Sequence, residues 1–152
     1  ISCVLAFGQF NVFKRQYSEY IQDQRYETID KALDHSVGGY SLREFLRLKS
    51  GAESPLLAVD GQLLGMILGR PTIGLPRGRY TDRIWTSEEV LWLARSYGIR
   101  YVVFFPGSFD PEGEENRNRV FFRQLQDGTI PGWLEPVLEK EDVRLYEVRI
   151  GN

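Results

Sequence analysis

Residues 86–106, TSEEVLWLARSYGIRYVVFFP, place a helix directly before a strand. Thr86 followed by Glu89 is a capping box, and acidic residues in the first turn favour a helix that begins there. Apolar residues recur at helical spacing as far as Gly98, a residue type that commonly ends helices. Residues 100–105 are rich in β-branched and aromatic residues and are followed by proline, which predicts a buried strand.

The alternation of strands and helices extends to both sides of this unit. Residues 56–59 are a short apolar run that ends in Asp60-Gly61, which predicts a buried strand followed by a turn. The further elements that the pattern predicts are a helix over 62–68, a strand over 71–75, a helix over 116–126, and strands over 134–139 and 143–150.

Two helices are predicted before the first strand. The first covers residues 17–36 and stops at Gly38-Gly39, and the second begins at Ser41, where Glu44 completes a capping box. The order of elements is then helix, helix and β-α-β-α-β-α-β-β. Short buried strands that alternate with helices form parallel sheets that are covered on both faces.

We therefore predict an α/β fold, a three-layer α/β/α sandwich with a Rossmann-like, mostly parallel sheet. The last two strands lie close enough in the sequence to form an antiparallel hairpin, so we expect one edge strand to be antiparallel. Residues 25–152 are interpreted as a single α/β domain, and residues 1–24 as an N-terminal helical segment.

Composition and motifs exclude several classes of function. The 152 residues include 19 basic and 21 acidic ones, a net charge of −2, which argues against a general nucleic-acid binder. A single cysteine, Cys3, and a single histidine, His35, cannot form a His/Cys zinc site. The chain has neither a G-x-G-x-x-G fingerprint nor a P-loop, so we expect no nucleotide cofactor and no metal.

Ligands of open α/β sheets bind beyond the carboxyl ends of the strands, and the candidate binding residues follow those ends here. We assign no catalytic residue. The candidates are Asp60, Arg77, Arg79, Tyr80, Asp82, Trp85, Ser108 and Asp110.

Asp60 and the loop over 76–85 each have two interpretations. Asp60 is a polar group of a site or the N-cap of the next helix, and we favour the cap because aspartate is a preferred capping residue. Guanidinium groups of Arg77, Arg79 and Arg83 suit phosphate or carboxylate, so the loop is predicted to meet an anionic group or a membrane surface. The alternative is a solvated loop with weak local ion pairs. For a loop that meets an anionic surface, we expect replacement of Arg77 and Arg79 to leave stability nearly unchanged and to weaken binding to anionic liposomes. A large drop in melting temperature would instead identify these arginines as structural ion-pair partners.

Residues 106–111, PGSFDP, resemble the opening of phosphopantetheine adenylyltransferases and related nucleotidyltransferases. In that family a strand-end loop holds a nucleotide, and a following H/T-x-G-H motif binds the phosphates. That motif is missing here, and the acidic residues within 110–115 would repel a triphosphate. A nucleotide-binding or nucleotidyl-transferring role for Asp60, Ser108 and Asp110 is therefore the alternative hypothesis.

Residues 1–13 are largely apolar and are followed by Lys14 and Arg15. The run is shorter than the about 20 apolar residues that a helix needs to cross a bilayer. It is either a buried element of the domain or the outer end of a membrane helix.

Residues 42–106 resemble the C-terminal soluble region of polytopic membrane glycosyltransferase-like proteins. These belong to the C-type superfamily, which includes protein mannosyltransferases and lipid A aminoarabinose transferases. The residues that carry the resemblance are Asp60, Gly69-Arg70, Leu75-Pro76 and 97–103, YGIRYVV, and Trp133-Leu134 and 143–148 also fit the pattern.

The resemblance implies a non-catalytic domain that faces the periplasm or the exterior of the cell. It implies attachment to the cell membrane through helices of a parent protein, and a role in recognising or gating the acceptor, for which an anionic group is one candidate. It also implies a polyprenyl-phosphate sugar as the donor and a catalytic acid outside these 152 residues. A third hypothesis is a protein-interaction module that docks a partner through Tyr80, Trp85 or Phe109.

Overall fold

A computed structural model describes residues 29, 33, 36–49, 54–78 and 80–151. The predictions made for residues 1–28, for His35 and for Arg79 lie outside this set. The described α-helices are α1 (Val37–Lys49), α2 (Gly61–Leu68), α3 (Ser87–Tyr97) and α4 (Val120–Gln126). The described strands are β1 (Leu56–Ala58), β2 (Thr72–Gly74), β3 (Tyr101–Phe104), β4 (Leu134–Glu139) and β5 (Arg144–Val148). Short 3-10 turns cover Pro106–Ser108 and Glu114–Asn116.

These strands form one sheet in the order β2-β1-β3-β5-β4. Strand β1 pairs in parallel with β2 and with β3, whereas β5 is antiparallel to both β3 and β4. The α/β class, the mostly parallel sheet and the C-terminal hairpin at one edge are therefore confirmed.

The hairpin gives the sheet the expected antiparallel edge, with β4 as the outer strand paired to β5. The hairpin inserts its second strand, β5, beside β3, so that β4 is the edge strand and runs in the same direction as β1. Leu145 and Tyr146 of β5 are buried, which suits a strand with neighbours on both sides. Strand β4 contains Pro136, which has no N–H to donate and is tolerated at a sheet edge.

Helices cover both faces of the sheet, which confirms the three-layer sandwich. Successive strand residues point to opposite faces. Leu57, Val102 and Phe104 pack with residues of α3 and α4 in one buried cluster. Leu56 and Val103 pack in a second cluster with residues of α1 and α2 and with Ile29 and Leu33.

Helix α1 begins at Val37, so the prediction that Gly38-Gly39 ends one helix and Ser41 caps the next is wrong. The cap is Ser36, whose Oγ accepts a hydrogen bond from the Gly39 N–H at 2.8 Å. A Cβ at position 38 would lie 2.9 Å from the Lys140 Cβ and against the Asp142 carboxylate, so Gly38 permits a close approach to the β4–β5 turn. Neither glycine breaks the helix.

The other helix boundaries follow the sequence signals more closely. The Thr86 side chain accepts a hydrogen bond from the Glu89 N–H, and α3 ends at Gly98 with a positive φ of 65°. Helix α2 ends at Gly69 in the same conformation. The helix expected over 116–126 is shorter, since α4 begins only at Val120. No helix of the described residues is long and apolar enough to cross a membrane.

Candidate functional site

A pocket opens at the carboxyl ends of β1 and β2, the edge at which the sequence predicts a site. Its volume is about 500 Å³, which lies within the roughly 300–1,000 Å³ typical of small-molecule sites. Apolar lining comes from Val59 and Leu75, among others. Its polar lining includes the side chains of Asp60, Gln62, Arg77, Tyr80 and Arg119.

Two glycines bring helix α2 against strand β2 at the back of this pocket. A Cβ on Gly74 would lie 2.7 Å from the Gly61 nitrogen, and a Cβ on Gly61 would collide with the backbone of Ile73 and Gly74. Because neither position tolerates a side chain, the first turn of α2 sits directly against the strand. This close approach holds Asp60, the residue before the helix, at the pocket wall.

Asp60 occupies the N-cap position of α2 but does not cap the helix through its side chain. Within the described part of the chain, no side-chain capping hydrogen bond is formed there, so the capping interpretation is wrong in its chemistry. The carboxylate instead lies 3.6 Å from Arg77 Nη2. Arg77 Nη1 in turn donates to Glu115 Oε2 at 3.0 Å. The Asp60 and Arg77 side chains are only 8% and 11% exposed, so this is a largely desolvated pair.

Arg119 is a pocket-lining residue that the sequence analysis did not single out. It is 2% exposed and lines the pocket from α4's side of the fold. Its Nε and Nη2 donate to the Leu75 carbonyl at 3.1 and 2.6 Å, and its Nη1 donates to Asn116 Oδ1 at 2.8 Å. The available sequence signal was the polar run N-x-N-R at 116–119, immediately before the apolar helix.

The loop over 75–85 is fastened to the segment over 114–121 along much of its length. Asn118 Nδ2 donates to the carbonyls of Pro76 and Arg83 at 3.0 and 3.1 Å. The Gly78 N–H donates to the Glu115 carbonyl at 3.2 Å. The buried polar or charged residues in the described part of the chain are Asn116, Asn118 and Arg119.

These contacts correct the expectation of a solvated loop, because Arg77 is largely buried and pairs with two carboxylates. Arg83 does form the expected local ion pair, with Glu89 on α3. The guanidinium of Arg83 also lies 4.7 Å from the centre of the Trp85 ring. The exposed Asp82 is absent from the pocket lining in the described residues.

The aromatic residues proposed as a docking surface do not share one. Trp85 and Phe109 are buried in the cluster that packs against α3 and α4, at 6% and 4% exposure. Both rings are therefore core residues, which overturns that surface. Tyr80 is 70% exposed and lines the pocket.

Ser108 and Asp110 form turns beyond β3 and do not join Asp60 in the described pocket lining. Ser108 Oγ donates to the Phe105 carbonyl at 3.0 Å. Asp110 Oδ1 accepts from the Glu112 N–H at 3.0 Å, and the Asp110 carbonyl accepts from Asn116 Nδ2 at 2.9 Å. The hydrogen bonds of the PGSFDP stretch thus stabilise its own loop. No group of three His, Cys, Asp or Glu side chains suited to a metal ion occurs among the described residues.

Arg70, which follows the left-handed end of α2, lies behind the pocket. Its Nε and Nη2 both donate to the Ser54 carbonyl, at 3.1 and 2.8 Å, just before β1. Burial lowers the pKa of this guanidinium from its ordinary value. Arg70 therefore ties the entry to β1 to the turn that precedes β2.

Comparison with known proteins gives a likeness of fold. No protein-family profile and no curated protein matches the sequence. Among solved structures, the chain is similar to the crystal structure of the C-terminal globular domain of an oligosaccharyltransferase from Archaeoglobus fulgidus. The two share 12% sequence identity with a TM-score of 0.44, and the match covers 74% of this chain and 97% of that one.

Proposed function

We propose that this chain is a non-catalytic, ligand-recognising domain of a membrane glycosyltransferase-like protein of the C-type superfamily. The observation that carries the proposal is that residues of the sequence resemblance build the pocket. Asp60 forms part of its wall, and the Leu75 carbonyl holds the buried Arg119. The Pro76 carbonyl accepts a hydrogen bond from the Asn118 side chain, which fastens the loop over 75–85.

The remaining residues of the resemblance support the strands whose ends form the pocket. Gly69 ends α2 with a positive φ, and Arg70 anchors the entry to β1. Gly98 ends α3 in the same conformation, which lets Tyr101–Phe104 enter the sheet beside β1. The motif is thus a scaffold that aligns three parallel strands and leaves their carboxyl ends open to a ligand.

The chemistry of the pocket is suited to binding and orientation. Its described lining contains no histidine, cysteine or lysine, and Thr72 Oγ1 donates to the Arg70 carbonyl. Asp60 and Arg77 form a fixed pair, and such a pair holds a bound group in place. We therefore assign the domain to acceptor recognition beside a polyprenyl-phosphate sugar donor, with the transfer step elsewhere in the parent protein.

Placement outside the cytoplasm is tested by cysteine labelling of the parent protein in intact cells. In a parent protein whose native cysteines, Cys3 among them, are replaced by serine, Glu112→Cys puts a thiol at an exposed position. A membrane-impermeant maleimide is expected to label it without permeabilisation. The matched control is Ala94→Cys, at a 1% exposed position in α3, which labels only after denaturation. Labelling of Glu112→Cys only in permeabilised cells would place the domain in the cytoplasm and refute the proposal.

The recognition role is tested by transfer kinetics with membranes that contain the parent protein. The donor is a radiolabelled polyprenyl-phosphate sugar. The acceptor is extracted from the same cells, and its concentration is varied. Tyr80→Ala changes an exposed pocket residue and is expected to raise the acceptor KM several-fold while kcat stays unchanged. A loss of kcat at unchanged KM would assign Tyr80 to the transfer step and contradict a purely recognising domain.

A further inference from the structure

We infer that the pocket takes a neutral, polyhydroxylated ligand through its hydroxyl groups, in preference to a free phosphate or carboxylate. The inference rests on the proposed function for the biological source of the ligand and names the chemical class that the pocket recognises. It departs from the anionic ligand that the arginines of the loop suggest in the sequence.

The spacing of the Asp60–Arg77 pair leaves room for a bridging hydroxyl. Arg77 Nη2 and Asp60 Oδ1 are 3.6 Å apart, which exceeds hydrogen-bond length, whereas Arg77 Nη1 and Glu115 Oε2 are in contact at 3.0 Å. A hydroxyl donates one hydrogen bond and accepts others, so it can donate to the carboxylate and accept from the guanidinium. A phosphate oxygen satisfies only the guanidinium and is repelled by the adjacent carboxylate.

Arg77 and Arg119, the arginines of the lining as far as the structure describes it, are already engaged in ways that disfavour an anion. Asp60 and Glu115 flank Arg77 within 4 Å and offset its charge. Arg119 directs Nε and Nη2 to one carbonyl and Nη1 to the Asn116 side chain. A bidentate clamp on phosphate needs a guanidinium fork turned toward the ligand, and the observed contacts use these forks to hold the pocket wall.

The mouth of the pocket offers groups that match the rest of such a ligand. The Tyr80 N–H donates to the Arg77 carbonyl at 2.9 Å, and this turn places an exposed aromatic ring at the rim. An aromatic ring presents a flat apolar face to the C–H face of a cyclic polyol. The exposed Gln62 contributes an amide, which donates and accepts like a hydroxyl.

The pocket is also organised before the ligand arrives. Asn118 and the Gly78–Glu115 backbone hydrogen bond fix the loop that carries Arg77 and Tyr80. A ligand that binds with weak, neutral hydrogen bonds needs such walls, because little binding energy is left for ordering a loop.

The test is titration of the isotope-labelled 152-residue chain with methyl glycosides of neutral monosaccharides, followed by amide shifts of residues 60–62 and 80. Inorganic phosphate and pyrophosphate are titrated in parallel, and tetraethylene glycol controls for unspecific effects. We expect saturable millimolar binding of at least one glycoside. Phosphate and pyrophosphate are expected to bind at least about tenfold more weakly than that glycoside. Asp60→Asn, which removes the charged acceptor, is expected to weaken glycoside binding about tenfold.

Matched variants keep the test decisive if Asp60→Asn fails to fold. Tyr80→Ala is expected to weaken glycoside binding, Tyr80→Phe to retain it, and Glu114→Gln, at a 92% exposed side chain outside the pocket lining, to change nothing. Absence of saturable binding by every glycoside would overturn the inference, and so would phosphate binding tighter than that of the glycosides. Surface labelling of Glu112→Cys is independent of this binding, so labelling without glycoside binding would refute the ligand class and leave the proposed function standing.

Discussion

The side-chain amide of Asn118 is the contact whose removal tests most directly how the loop over 75–85 is held in place. Its Nδ2 donates to the carbonyls of Pro76 and Arg83, and it is 4% exposed. Asn118→Ala removes two neutral hydrogen bonds and leaves two carbonyls without this donor. At about 1 kcal/mol for each bond, we expect a loss of about 2 kcal/mol in the free energy of unfolding.

The assay is urea unfolding followed by fluorescence and circular dichroism. We expect the midpoint to fall with an unchanged m-value, together with a decrease of about 4–8 °C in the melting temperature for a domain of this size. Glu112→Ala, at an exposed position, is the control and is expected to change stability by less than about 0.5 kcal/mol.

A second substitution at the same position separates hydrogen bonding from loss of volume. Asn118→Asp keeps the shape of the side chain but turns a carboxylate toward two carbonyl oxygens, so near neutral pH it is expected to be more destabilising than Asn118→Ala. Its cost is expected to shrink at low pH, where the protonated carboxyl donates one hydrogen bond. A loss below about 0.5 kcal/mol for Asn118→Ala would show that this amide does not hold the loop, and would refute the reasoning.

Three further comparisons test other parts of the fold. Arg77→Ala is expected to lower the free energy of unfolding by about 3 kcal/mol, because it leaves the nearly buried Asp60 carboxylate without its partner. Arg83→Ala removes an exposed pair and is expected to cost less than about 1 kcal/mol. Thermal unfolding compares the two variants, and equal losses of stability would contradict the burial argument. Gly74→Ala is expected to destabilise the protein strongly in urea unfolding, since the added Cβ would lie 2.7 Å from the Gly61 nitrogen of α2. Gly132→Ala is the control and is expected to be neutral, because a Cβ there has no neighbouring atom within 4 Å. Burial raises the pKa of the Tyr146 phenol above its ordinary value of 10.0, so the folded state holds this proton more tightly than the unfolded state does. The free energy of unfolding is therefore expected to fall as the pH rises above about 10. Between pH 8 and 11, Tyr146→Phe should show a shallower decline in this free energy than the unsubstituted protein.

Much of the fold was predictable because its signals are local. The Thr86 cap, the left-handed glycine at position 98 and the apolar run of β3 lie within a few residues of the structure they determine. The order of strands in the hairpin was less accessible, since it depends on which strand buries more surface between neighbours. Position 38 shows a similar limit, because the close approach that its glycine permits involves Asp142, more than a hundred residues away.

The candidate site was predictable in its location and only partly in its chemistry. The carboxyl ends of β1 and β2 follow from topology, and Asp60, Arg77 and Tyr80 line one pocket there, while their role as a binding site stays a prediction. Arg119 was missed because an arginine before an apolar helix is usually solvated, and only the long-range contact with the Leu75 carbonyl shows that it is buried. Trp85 was misassigned for the converse reason, since an aromatic residue in a polar loop gives no local sign of facing the core.

The fastening of the pocket loop has a consequence for the order in which the protein is made. Arg119 contacts the Leu75 carbonyl across 44 residues of sequence, and Asn118 contacts that of Pro76 across 42. These contacts cannot form before residues 118 and 119 have been synthesised, so the pocket is completed only after α2 and α3 have been made. A nascent chain that has emerged only as far as β3 holds all the residues of the β1–β2 edge but lacks the contacts that shape them. The ligand binding proposed for this edge therefore requires that the segment over 114–121 has been synthesised and has docked.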